Sequence, residues 1–292
     1  MYRWNQLLIA SHKTFFLFVG LFGNINLIYI ILSTKKLRTK SSYLQCIQSF
    51  AQIFCILNSF IDIYLMITNR QIARNTCFHL IFPTDFCYCV QSAIMLFILL
   101  DILLTVRYPI AIRNLSDWKY VLGMSMAPIV WGIGIVVWGF LELDDTLILL
   151  CVPPLSLHKR ANQLLFSVTL FTNSASLVIF ITLVFIFRKK GKKSNECSKI
   201  MRHLRISAAL FIVSSYFQGL STNVLVMLGY SGDSFNNMIG NITIASMFSY
   251  SHTFYTIIWR SAEYRKRFIG IYFRSSKHRV ITVSGQSQKI TL

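Results

Sequence analysis

The chain has 292 residues, 54% of them hydrophobic and only 13% charged, with a mean hydropathy of +0.56. A soluble domain is nearer a quarter charged, because its surface must be hydrated; a water-soluble globule is excluded, and the main solvent is lipid. Lys and Arg number 29 against 10 acidic residues, a formal +19 that fits either nucleic acid or an anionic membrane face, and the placement of the cations decides which.

In chain order, residues 1–14 carry Arg3 and Lys13 but no separate apolar core, so they read as an outer N-terminus without a cleaved signal peptide. Seven apolar runs follow, each long enough for about 30 Å of hydrocarbon. They cover residues 15–33, 43–67, 78–104, 120–140, 163–187, 206–229 and 238–259. Residues 260–292 form a basic helix and tail. The expected fold is all-α, a seven-transmembrane helix bundle, with a short amphipathic helix after the last span. No loop is long enough to fold alone, and there is no internal repeat.

The cations settle orientation. Connections after spans 1, 3 and 5, with the tail, hold 23 Lys and Arg; the N-terminus and the connections after spans 2, 4 and 6 hold 6. The N-terminus is therefore expected outside the cell, with the C-terminus cytoplasmic. Basic residues spread over separate short connections form no nucleic-acid footprint.

Polar residues at helical spacing mark faces turned from lipid. Gln45, Gln48, Gln52, Ser59 and Asp62 share one side of span 2, while Asp85, Tyr88 and Gln91 sit three apart near the outer end of span 3. Span 5 offers Thr172, Asn173 and Ser176; span 6 offers Tyr216, Gln218 and Asn223; span 7 offers Asn241 and Thr243. Each can simply bond to a neighbouring helix. An ionised Asp is costlier to bury, so Asp85, Asp62, Tyr88, Gln91 and Tyr216 are the candidate ligand-binding residues. Pro83 is expected to kink span 3 beside Asp85. No Cys or His spacing suits a metal, and no GxSxG, HExxH or paired mid-membrane Asp points to an enzyme. No cofactor is expected.

Gly23-Asn24 is similar to the GN of the first helix of rhodopsin-like G-protein-coupled receptors, and Asp101 to Pro109 resembles the segment DRYxxxxxP that ends their third helix. Trp131 stands where their fourth helix keeps a tryptophan. More narrowly, residues 74–78, Asp101 to Pro109 and Trp259 to Arg265 resemble nematode serpentine chemoreceptors of the Srsx or Srx type. The resemblance covers nearly the whole chain. It implies a disulfide between Cys77, which lies 24 residues before Asp101, and Cys151 in the long loop after span 4. It also implies an activation and G-protein face at Asp101, Arg107, Tyr108 and Pro109, and structural roles for Gly23, Asn24, Gln52 and Trp131. Four positions depart from the family pattern. Ile102 replaces the DRY arginine, Gln52 replaces a sodium-binding Asp, Ser214 to Phe217 lacks WxP, and Thr253 to Ile257 replaces NPxxY.

In the tail, Tyr264, Phe268, Ile271 and Tyr272 recur at helical spacing beside Arg265, Lys266 and Arg267, as in a helix lying on the inner leaflet. No Cys follows residue 197, which excludes a palmitoyl anchor there. The sequons at Asn114 and Asn241 fall on the cytosolic side and in the membrane, so neither is expected to be glycosylated.

The expected function is a plasma-membrane chemosensory receptor. A small ligand enters the outer half of the bundle, and a heterotrimeric G protein reads the cytoplasmic face. A short-peptide receptor of the same fold is the alternative. A transporter or channel is less favoured, because the span count is odd and no paired halves are visible.

Overall fold

A computed structural model describes residues 3–68, 70–190, 209–210, 212–214, 216–218, 220–221, 224–225, 228 and 232–273. The expected basic run after span 5 lies outside these residues beyond Lys190, as do Ser215 and Asn223 of span 6 and the tail from Arg274.

Helix α1 (Arg3–Ser33) leads through a 3-10 turn (Lys35–Leu37) into α2 (Lys40–Leu57) and α3 (Ser59–Thr68). These two act as one span interrupted at Asn58, whose carbonyl still accepts from the amides of Ile61 (3.0 Å) and Asp62 (3.2 Å). Strand β1 (Ile72–Ala73) precedes α4 (Arg74–Arg107), α5 (Pro109–Asn114) and α6 (Asp117–Leu141). Strand β2 (Leu147–Ile148), the turn α7 (Pro153–Ser156) and α8 (Lys159–Lys190) follow. Every described residue of 209–225 is helical, where the sixth span is expected. The seventh is α9 (Gly232–Arg260), and α10 (Ala262–Phe273) closes the described chain.

Five of these helices are long and apolar enough to cross a bilayer. Helix α9 is more polar but has 29 residues, about 43 Å at 1.5 Å per residue, which is ample for a crossing. The expected spans underestimate the helices, and α1 most of all. It begins twelve positions before the apolar run and carries Lys13 inside the bundle. Pro83 sits within the continuous α4.

Helix α4 is the central column, packed against α2, α6 and α8, with both α5 and α7 against its ends. Helix α1 lies in the cleft between α2 and α9. The close approach depends on Gly20, where an added Cβ would stand 2.5 Å from Ser251 Oγ and 2.6 Å from Ile56 Cδ1. Gly23 faces Phe254 and Tyr255 in the same seam, and Asn24 Nδ2 donates to the Tyr250 carbonyl at 2.9 Å. Trp131 packs against the cluster around Phe78 and Ile135, while Gln52 is fully buried.

The outer surface shows what solvent the fold requires. Phe15, Phe18, Phe22, Ile25, Tyr29 and Leu32 run along α1 at alternating three- and four-residue steps, each about half exposed or more. Leu122, Met126, Val130, Ile133 and Val137, at steps of three or four residues, form a similarly exposed stripe on α6. Continuous apolar stripes of this kind belong in hydrocarbon.

The apolar side of α10 differs from expectation. Tyr264, Phe268 and Ile271 pack on Leu27, Ile30, Ile31, Phe254 and Ile257 of the first and last spans. The face read as inner-leaflet contact is largely taken up by the bundle itself; Tyr272 and Ile269 keep about half their surface exposed.

Candidate functional site

At one end of the bundle the loop after α6 folds down onto α4. The Arg74 and Asn75 amides donate to the carbonyls of Thr146 (2.8 Å) and Asp144 (3.0 Å), extending an antiparallel β1–β2 ladder in which Ile72 faces Ile148. Cys77 is bonded to Cys151, with Cα atoms 5.7 Å apart. Arg74 also forms an ion pair with Asp144. Burial raises the Asp144 carboxyl, but hydrogen bonds from Thr146 and the Arg74 guanidinium outweigh it and hold the group below the usual carboxylate range.

Beneath this staple lies a cavity with about 450 Å³ of empty space, its open mouth included. Helices α1, α3, α4 and α9 and the loop segment at Val152 and Pro153 wall it, with Gln218 from the sixth span. Tyr88, Met247, Tyr250 and Val152 give it an apolar and aromatic lining. Asp62 also lines it, paired with Lys13, and both side chains are buried, at 1% and 2% exposure. Asn58 donates through Nδ2 to the Cys151 carbonyl at 3.1 Å, so the interruption in the second span reaches the loop. Because a carbonyl can only accept, that bond fixes Oδ1 as the free end of the amide. Among the described residues, neither Asn58 Oδ1 nor Asp62 Oδ1 has a hydrogen-bond partner.

Of the five expected ligand residues, the structure brings Asp62 and Tyr88 to this cavity. Asp85 is buried beside it and accepts from Ser156 Oγ at 3.0 and 3.2 Å, which ties α4 to α7. Gln91, one turn deeper on α4, is buried outside the lining. Tyr216 donates to Ser174 Oγ at 2.7 Å and packs with the cluster around Ile94 and Leu183, further along the bundle. Sequence reasoning missed Lys13 and Asn58. The apolar run Leu7 to Ala10 ahead of Lys13 was the available sign that the helix starts early, and a buried Asp needs a partner. Among the described residues no cluster of His, Cys, Asp and Glu could hold a metal.

The opposite end carries a second polar cluster. Asp101 is 3% exposed and accepts from Tyr120 Oη at 2.9 Å. Lys40 lies 5.5 Å from the centre of the Tyr120 ring and 3.5 Å from Asp117, and donates to the Leu115 carbonyl at 2.8 Å and to that of Ile112. Asp101 is thus held by α6, not by Arg107, which is exposed at the helix end with Tyr108 and Pro109.

A lipid-facing helix bundle with a stapled loop over an internal cavity is the architecture of a seven-transmembrane receptor. The serpentine type 7TM GPCR chemoreceptor Srsx family model matches residues 17–272. The chain belongs to that family, a receptor class and not an enzyme class. It matches none of the curated proteins compared with it.

Proposed function

We propose that this chain is a chemosensory G-protein-coupled receptor of the plasma membrane, with its disulfide end outside the cell. The cavity beneath the staple holds a small ligand, and α5, α10 and the exposed Arg107, Tyr108 and Pro109 face a G protein in the cytoplasm. The observation that carries this reading is the cavity itself, walled by an apolar and aromatic lining around a buried ion pair. The charge bias of the connections supports the orientation. Binding acts through differential affinity for two helix arrangements. The cavity touches α1, α3, α4 and α9 at once, so a ligand there can bias their packing.

The test is a reporter assay in cells expressing the full chain, screened against small odorants and metabolites. A hit should be lost or weakened at least about tenfold by Tyr88→Ala, with surface expression kept. A response unaffected by substitution at both Tyr88 and Met247 would remove the cavity from the account.

A further inference from the structure

The walls of the cavity specify the charge of what enters it. Among the described residues that line it, Lys13 and Asp62 are the only charged ones, and they neutralise each other. A ligand bearing a net charge would therefore meet both its counter-charge and a like charge in the same confined space. In a low-dielectric site that repulsion is weakly screened, and parting the pair would leave one buried charge uncompensated.

The hydrogen-bonding groups narrow the class further. Asp62 Oδ1 and Asn58 Oδ1 are acceptors without partners among the described residues, and Asp62 and Asn58 are 99% and 93% buried. Buried acceptors left unpaired are costly, so a matching ligand brings a donor. The Lys13 ammonium has three N–H groups, only one of which is directed to Asp62 Oδ2, so an acceptor on the ligand also finds a partner. A hydroxyl or primary amide meets both conditions, and Met247, Tyr250 and Val152 take the apolar remainder.

We propose that the Lys13–Asp62 pair sets the receptor's ligand class as small uncharged molecules with a hydroxyl or primary amide on an apolar body. This deepens, and rests on, the small-ligand reading above.

The experiment uses the full-length receptor purified into lipid nanodiscs at pH 7, read by thermal shift and by competition between probes. Two matched series serve: hexan-1-ol, hexanamide, 2-hexanone, hexylamine and hexanoate, and then benzyl alcohol, benzamide, acetophenone, benzylamine and benzoate. Within the series that binds, the alcohol and amide should be held about tenfold more tightly than the acceptor-only ketone or either ion. Lys13→Met should move the preference to the amine, and Asp62→Asn should move it to the carboxylate. If neither variant folds, the wild-type ranking decides alone. A wild-type ranking led by the ketone, amine or carboxylate overturns the proposed ligand class and leaves the small-ligand reading standing. Failure of every probe to bind overturns both.

Discussion

A carboxylate inside a bilayer needs a partner, and three acids buried in this chain each meet that need differently. Asp62 takes a lysine from the first span, Asp85 a serine from the loop turn, and Asp101 a tyrosine from the fourth span. Tyr120 donates to Asp101 in a chain whose next residue is Ile102, where the family pattern has an arginine. Tyr120→Phe removes a buried donor to Asp101 and should cost about 1–3 kcal/mol. A lowered unfolding midpoint in detergent checks this, with Tyr108→Phe, exposed at the helix end, as the neutral control. The Asp144 carboxyl in the loop gives a pH signature. Its folded-state value is depressed, so its contribution is complete above the unfolded value of about 3.9 and fades as pH falls through the lower folded value. Amide protection in residues 72–74 and 146–148, measured against the intrinsic exchange rate at each pH, should therefore fall below about pH 4, and Asp144→Asn should abolish that dependence. The acids themselves are visible in the sequence. Their partners are not, since they lie 49, 71 and 19 positions away and no local spacing encodes them.

At the scale of elements, the loop between α6 and α8 is the least regular part of the described chain and the most heavily tied. Disulfide, two-residue ladder, Arg74–Asp144 pair and the Asn58 and Ser156 bonds join it to β1 and to the helices beneath. Cys151→Ser should destabilise the receptor by about 2–5 kcal/mol, seen as a lower unfolding midpoint and weaker ligand retention. The α1 seam offers a second test. Gly20→Leu forces a side chain into Ser251 and Ile56 and should block surface expression, whereas Gly123→Leu, with nothing within 4 Å, should be tolerated. The spans were legible because hydrocarbon demands long apolar runs. Their ends were not, because a helix continues past its apolar stretch wherever a polar residue such as Lys13 finds a partner. Two-residue strands such as Ile72–Ala73 are too short to show any alternation.

For the molecule as a whole, apolar stripes on α1 and α6 and polar contacts inside define a bundle built for lipid. The sequence carries this as composition and period, and the order of its motifs carries the family. It shows five of the cavity's residues, Ser59, Asp62, Tyr88, Gln218 and Thr243, by their inward face, while the cavity exists only because α1, α3, α4, α9 and the loop converge. Every role assigned here depends on which side of the membrane that convergence faces. The most direct test places one epitope tag at each chain end and a glycosylation acceptor in the loop between Asp144 and Leu147, then compares intact with permeabilised cells. The N-terminal tag should be labelled on intact cells, the loop acceptor glycosylated, and the C-terminal tag reached only after permeabilisation. Labelling of both ends from the same side, or an unmodified loop with the C-terminal tag exposed, would contradict the account.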